Sequence, residues 1–420
     1  MNYKETVEYL FNSTPVFEHV GASAYKEGLS NTLALDEYLG HPHKNFKTIH
    51  VAGTNGKGSC SHTLAAILQT MGLKVGLYTS PHIVDFRERI RVNGKCLSEE
   101  YVVDFVEKHR SFFEPLHPSF FELTTAMAFR YFADQNVDIA VIEVGLGGRL
   151  DCTNIITPEI SIITNISLDH TQFLGDTLAK IAGEKAGIIK EGVNVVIGED
   201  VEETRPVFEA KAKEMNAPIV FAQDYPEVLC SEACADGGRN YETVSFGMLH
   251  GDLSGDYQAC NMNTILTACK VLGLKREAVM EAVGHVSELT GLVGRWMKIH
   301  EEPLAVCDTG HNVGGWKYLA PQIKAQKCEN LRIVFGMVDD KDIDSVMEML
   351  PKNAIYYWTQ ATTHRAIAKE KVAAKGHNHQ LEGRIYDSVK EAYQEALKEA
   401  NKNDFVFVGG SSYVVADLLS

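Results

Sequence analysis

The segment TIHVAGTNGKGSCSHTLAAIL, residues 48–68, sets an apolar strand, a glycine-rich turn holding Lys57 and Ser59, and an amphipathic helix in direct succession. Backbone N–H groups of such a turn and the positive end of the helix dipole can cradle phosphates, and a lysine placed here can reach the terminal ones. The turn departs from the strict G-x-x-x-x-G-K-[ST] form, because Gly58 separates Lys57 from Ser59. A glycine-rich turn alone is often only a tight connection. Strand, lysine, hydroxyl and helix in register together predict a site for nucleotide phosphates.

Nucleotide phosphates bring Mg²⁺, which prefers hard oxygen ligands and keeps several waters, so one or two protein oxygens suffice. Glu143 closes the apolar run 138–144 and is followed by Gly145, Gly147 and Gly148. Its carboxylate is expected at the C-terminal edge of a parallel sheet, where open α/β sheets bind their ligands. Ser80 in TSPH and His170 in NISLDH stand in corresponding places, just past the runs 74–78 and 159–165. Each alone also reads as a solvated or structural residue; three polar groups and a phosphate loop at successive strand ends point to one site. Lys185, in GEKAGIIK at 183–190, lies on the helix after His170 and by itself reads as a solvated helix residue.

These residues need a frame. From Phe46, apolar runs at 47–52, 74–78, 138–144, 159–165 and 193–198 alternate with helical spacing at 57–71, 98–112, 119–134, 177–187 and 202–215. That alternation is the signature of an α/β layer with a parallel sheet. The stretch ERIRVNGKCL, 88–97, alternates around Asn93-Gly94 and predicts a small hairpin. Residues 2–39 read as two short helices around a glycine-containing loop. After 221 the pattern weakens through Gly237-Gly238 and recovers in helices near 257–272 and 275–285. A second alternation begins near Arg295, with strands around 303–307, 331–335, 354–358 and 404–408. The expected division is therefore 1–293 and 294–420, at GLVGRW, where two glycines interrupt the helical pattern.

Composition excludes several classes. A chain of 420 residues has room for two or three domains at roughly 150 residues each. Its 45% hydrophobic and 23% charged residues are ordinary globular usage, which leaves no place for a largely disordered chain. Forty Lys and Arg against 56 Asp and Glu give a net charge of -16, so nucleic acid and anionic membranes would meet unfavourable electrostatics. The nine cysteines are scattered apart from Cys230 and Cys234 and suggest neither zinc pairs nor a disulfide framework, which fits a reducing cytoplasm. No run approaches the ~18 apolar residues of a membrane span, and no targeting segment is expected.

HVAGTNGKGS, YTSPH with FRERI, EVGLGGRLDCTN, ITNISLDH, GEKAGIIK, GRW and DTGHN occur in the order seen in folylpolyglutamate synthases and bifunctional dihydrofolate synthases of the Mur ligase superfamily, which the chain resembles along almost its whole length. The resemblance implies an ATP-dependent amide ligase joining L-glutamate to dihydropteroate or a reduced folate through an acyl phosphate. It implies a P-loop ATPase domain with a mostly parallel sheet, followed by a smaller C-terminal Rossmann-like α/β domain. Gly53, Thr54, Asn55, Gly56, Lys57, Gly58 and Ser59 match the phosphate loop. Ser80 and Glu143 match the first Mg²⁺ ligands and His170 a second-metal ligand, while Lys185 matches the lysine carried as a carbamate. Arg295 resembles the arginine that reaches the ATP phosphates, Asp308 and His311 the pair that helps enclose the nucleotide, and Asn261 an asparagine near the adenine. Asp151 matches an aspartate implicated in handling the pterin substrate. Partners are expected to be these small molecules alone, for a cytoplasmic monomer.

Two points stay open in this reading. The family's DGAHNP stands here as DTGHNV, so Thr309, Gly310 and Val313 depart from it, and the shared motifs do not choose between dihydropteroate and reduced folates. The alternatives weighed against a folate ligase are another Mur-type ligase acting on a cell-wall precursor, and a P-loop switch whose nucleotide drives a partner.

Overall fold

The computed structural model describes residues 1–14, 28–234 and 237–420, and the chain divides into two units. The first comprises Met1–Glu232, Asn240–Asp252 and Ala259–Gly291; the second comprises Ala233–Arg239, Leu253–Gln258 and Leu292–Ser420.

The first unit is built on eight strands: β1 (Lys47–Ala52), β2 (Val75–Tyr78), β3 (Ile90–Val92), β4 (Lys95–Cys96), β5 (Ile139–Glu143), β6 (Ile160–Ile163), β7 (Asn194–Ile197) and β8 (Ile219–Phe221). Their spatial order is β4-β3-β2-β5-β1-β6-β7-β8. From β2 to β8 every pairing is parallel. The β3–β4 hairpin adds an antiparallel edge and turns at Asn93-Gly94, both with positive φ, as an Asn-Gly turn requires. The central strands are buried on both faces, which is why they read as nearly continuous apolar runs. His50, fully buried in β1, is an exception that needs a partner.

Helix Lys57–Thr70 follows β1 directly and is buried from Ser59 through Leu68, as expected for a helix lying between a sheet and further helices. Helix Phe120–Asp134 starts with a capping box, Ser119 accepting from Glu122 N and the Glu122 carboxylate accepting from Ser119 N. Its aromatic face joins a core that includes Phe105, Phe113, Phe129 and Phe132. Helices Tyr3–Ser13 and Ser30–Tyr38 are present, and the glycine-containing loop expected between them falls largely outside the described residues.

The stretch after 221 holds more order than its pattern suggested: β9 (Val228–Ala233), β10 (Arg239–Thr243) and β11 (Gly247–Gly251) form a three-stranded sheet. Side chains of β10 alternate strictly between buried and exposed, but two of its three buried positions are Arg239 and Thr243, so the apolar signal is diluted.

The second unit holds a six-stranded sheet of β12 (Met297–His300), β13 (Leu304–Asp308), β14 (Leu331–Phe335), β15 (Ile355–Trp358), β16 (Gly383–Ile385) and β17 (Phe405–Gly409). The order is β12-β13-β17-β14-β15-β16, parallel except for β12 against β13. Trp316, Phe335, Trp358 and Phe407 meet edge-on in its core. No helix among the described residues is long and apolar enough to cross a membrane.

Candidate active site

The turn after β1 is clamped from the next strand. Thr54 N donates to Asn165 O at 2.9 Å, Asn55 N to Asn165 Oδ1 at 3.0 Å, and Ser167 N to Thr54 Oγ1 at 3.0 Å. Gly53 and Gly56 have φ of 145° and 83°, and a Cβ on either would meet Thr164 Oγ1 at 1.8 Å or Asn261 Oδ1 at 2.2 Å. Only glycine combines those backbone angles with such close neighbours. Gly56 is the N-cap of helix Lys57–Thr70, and no side chain caps that end. A helix end with a glycine cap and no capping side chain keeps its dipole and backbone N–H groups turned toward the loop, which fits an anion. Lys57 folds back over this turn, its Nζ donating to Gly53 O at 3.1 Å and Thr54 O at 3.0 Å. Asn261, buried on helix Gln258–Leu272, abuts Gly56 through its side-chain oxygen.

Glu143, buried at the end of β5, accepts from Ser80 N at 3.2 Å, just beyond the neighbouring strand β2. Two residues able to offer hard oxygens thus meet at one sheet edge, and this donor set fits Mg²⁺ completed by phosphate oxygens and water. Among the described residues no three His, Cys, Asp or Glu side chains gather as a cage for a metal. The Cys60 thiol, on the helix that follows the loop, is pushed up by burial and further by the charges of Glu143 and Glu199. That effect marks the acidic character of this edge.

Lys185 is not the solvated helix residue its motif alone suggested. It lies in the last turn of helix Leu178–Ala186, 4% exposed, and no hydrogen bond or ion pair to its Nζ is found among the described residues. Burial pushes its amine from 10.5 down to about 7; the Lys57 cation lowers it further, while Asp169 and Asp151 pull the other way. Lys57, Lys185, Asp169 and Asp151 therefore lie within electrostatic reach of one another. His170 sits in the left-handed region at φ 50°, half-buried, and a one-turn helix, Thr171–Leu174, separates it from the helix of Lys185. Asp169, beside it in NISLDH, is a buried carboxylate that sequence reasoning passed over.

Asp151 is fully engaged with its own loop. Its carboxylate accepts from Leu146 N at 2.8 Å and Thr153 N at 3.0 Å, and from the Thr153 hydroxyl.

The residues expected to contribute from the second unit form a cluster of their own. Asp308, at the end of β13, accepts from Tyr257 Oη at 2.6 Å, Trp296 N at 2.7 Å and Gly310 N at 2.8 Å. Burial pushes its carboxyl up, and the Tyr257 hydrogen bond and the Arg295 charge oppose that rise. Thr309, one of the departures from the motif, accepts from the Arg295 guanidinium and donates to Gly294 O at 3.1 Å. His311 contacts Thr309 O through Nδ1 at 3.1 Å, and Asn312 caps helix Val313–Lys324 through Gly315 N. Tyr257 carried no signal in the sequence, lying 51 residues from the aspartate it binds.

The Mur ligase middle domain matches residues 51–227, and the Mur ligase glutamate ligase domain matches residues 294–412. The chain is 34% identical to the folylpolyglutamate synthase of Lacticaseibacillus casei, over 97% of this chain and 96% of that protein. It belongs to the folylpolyglutamate synthase family. This family member is also 34% identical to the dihydrofolate synthase/folylpolyglutamate synthase of Bacillus subtilis, over 94% of each chain. The Mycobacterium tuberculosis folylpolyglutamate synthase complexed with ADP and AMPPCP superposes with a TM-score of 0.89, at 28% identity over 99% of this chain and 98% of that one. The Escherichia coli FolC structure in complex with DHPP and ADP gives 0.84, at 29% identity over 100% and 97%. Membership makes the chain an ATP-dependent ligase of folate metabolism.

Proposed function

We propose that this ligase binds ATP at the 53–59 turn and uses it to join L-glutamate to the carboxylate of dihydropteroate and of reduced folates. The observation that carries the reading is the gathering, at one edge of one sheet, of a phosphate-type turn with no side-chain cap, the paired Ser80 and Glu143, and a buried Lys185 whose Nζ has no hydrogen bond or ion pair among the described residues. Relatives whose structures hold ADP support ATP as the nucleotide, and relatives named for both activities support both acids.

A carboxylate is a poor electrophile at neutral pH. Its attack on the γ-phosphorus of ATP would form an acyl phosphate and release ADP. The glutamate amine would then attack the acyl carbon, with phosphate and a proton leaving as the amide forms. Lys57 would leave its loop carbonyls for the phosphoryl oxygens, and Arg295 would add a second cation; fixed charge of this kind supplies most of the catalysis in phosphoryl transfer. Mg²⁺ held by Ser80 and Glu143, with a second ion at His170, would neutralise charge on the phosphate oxygens. Lys185 with a pKa of about 7 holds much neutral amine near pH 7, the form that adds CO₂. The nitrogen lone pair forms the N–C bond and one amine proton leaves to solvent; the resulting carbamate is an anion with two hard oxygens, which would suit a metal ligand where an ammonium does not. Asn261 would border the nucleotide through its contact with Gly56, and Asp308 and His311 would help enclose it.

The test is ADP release with L-glutamate against dihydropteroate, tetrahydrofolate and a formylated folate in turn, with products identified by mass. Glutamate-dependent turnover on dihydropteroate and on at least one reduced folate is expected; turnover on one class only would remove the dual assignment. Size-exclusion chromatography should give a monomer, and fractionation of the source cells a cytoplasmic protein.

A further inference from the structure

His50 is a buried polar residue in the middle of β1, three residues before the phosphate-type turn, and none of the roles above uses it. Its Nε2 lies 2.8 Å from Thr153 Oγ1. The Thr153 hydroxyl has a single proton, and that proton goes to the Asp151 carboxylate. The contact with His50 must then be one in which Thr153 accepts, which fixes the imidazole as the Nε2–H tautomer. Nδ1 is left without a partner among the described residues, as an acceptor rather than a donor. Burial pushes the His50 pKa down to about 3, with the Lys190 charge adding to the fall, so the ring is the neutral donor this arrangement needs.

The chain of bonds ends on the loop between Glu143 and Lys185. Asp151 holds Leu146 N, three residues beyond Glu143. On the far side of the loop, Arg149 N donates to Glu184 O at 2.8 Å, and Asn154 Nδ2 spans Arg149 O and Gly187 O at 3.1 and 3.0 Å. Glu184 and Gly187 bracket Lys185. A hydrogen-bonded path therefore runs from the strand that carries the phosphate turn, through Thr153 and Asp151, to the loop on which the helix end of Lys185 rests.

We propose that His50 is a positioning residue: through Thr153 it fixes the Asp151 carboxylate and with it the 144–155 loop, and so sets Lys185 and Glu143 in register with the phosphate turn. The bond geometry makes this a matter of placement, because His50 sits inside the sheet and, among the described residues, its ring is hydrogen-bonded to Thr153 alone. Displacement of reacting groups by an ångström can cost about 100-fold in turnover, so loosening this path acts on kcat rather than on nucleotide affinity.

The inference rests on the ligase reading, and its test separates the two. Thr153→Val removes the relaying hydroxyl with little change of shape, and Thr153→Ser retains it. In the full chain, Thr153→Val is expected to lower kcat between about 10- and 100-fold with KM for ATP within about threefold. Hydrogen exchange at the Leu146 amide should quicken by about 10-fold, and Thr153→Ser should restore both. The exchange measurement needs neither substrate nor nucleotide, so it reports on the path even if the substrates named above are wrong. Unchanged exchange in Thr153→Val, or quickened exchange with parent kcat, overturns the proposal. Should Thr153→Val not fold, His50→Gln, which keeps an N–H donor near the Nε2 position, is compared with His50→Leu. The proposal then requires Gln to keep parent-like kcat and exchange and Leu to lose both; equal behaviour of the two overturns it.

Discussion

Lys185 is a buried cation whenever it holds its proton, only partly offset by Asp169 and Asp151, and that has a size. The fall of its pKa from 10.5 to about 7, at about 1.4 kcal/mol per unit, makes the protonated amine about 5 kcal/mol less favourable in the native chain than in the unfolded one. Below the native pKa both states carry the proton and the whole penalty bears on the fold. Between about pH 7 and 10.5 the native amine is bare while the unfolded one is still protonated, so the penalty fades and stability rises with pH. Lys185→Met keeps the length of the side chain and removes the charge. In CO₂-free buffer with EDTA it is expected to be more stable than the parent by about 5 kcal/mol at about pH 6 and by about 2 kcal/mol at about pH 9. Urea unfolding followed by circular dichroism reads this directly, and the variant should lose ligase turnover while it gains stability. A Met variant no more stable than the parent at the lower pH, or a gain that does not shrink at the higher one, would refute the picture of an amine whose burial outweighs its nearby carboxylates.

The other expectations concern the same edge and the second unit. Lys57→Ala should fold and lose at least ~100-fold in ADP release, because one fixed charge on a moving phosphoryl group is worth several kcal/mol; near-parent turnover would remove the loop from the reaction. Glu143→Gln should leave the thermal midpoint in place and raise the Mg²⁺ concentration needed for half activity, whereas a shifted midpoint with the parent Mg²⁺ response would make Glu143 structural. Lys185→Ala should be inactive and regain turnover in concentrated acetate or formate, while Lys190→Ala, which loses a bond to Asn154 O, should lose little; absence of rescue counts against the carbamate. Tyr257→Phe removes a hydrogen bond to a buried carboxylate and should destabilise the second unit by about 1.5–3 kcal/mol in denaturant titrations, since bonds to charged groups fall in that range.

The parallel strands were legible because burial on both faces forces apolar runs, and their ends were legible because glycine and polar residues follow at once. Strands expected at 47–52 and 331–335 coincide with β1 and β14. The polar alternation of β10 and the three-residue length of β8 and β16 gave periodicity too little to work on. Within the site, Lys57, Ser80, Glu143 and His170 could be named because each stands at the end of a strand or just past one. The environment of a side chain was not legible: spacing alone left Lys185 on a solvated face, and its burial depends on the 144–155 loop lying against its helix. His50 and Tyr257 were missed for a related reason, since each acts through a partner 103 or 51 residues away.

The second unit takes Ala233–Arg239 and Leu253–Gln258 from a part of the sequence that otherwise belongs to the first; the second of these segments carries six residues. Within those six residues, Tyr257 closes the buried Asp308 carboxylate and Asp256 N donates to Gln322 Oε1 at 2.9 Å. A fragment cut cleanly at residue 292 would leave Asp308 inside the protein with one donor missing and Gln322 without this donor. The C-terminal half is thus no cassette that recombination could move by a single splice: any host receiving it would have to supply, from elsewhere in its own chain, a tyrosine at the right place.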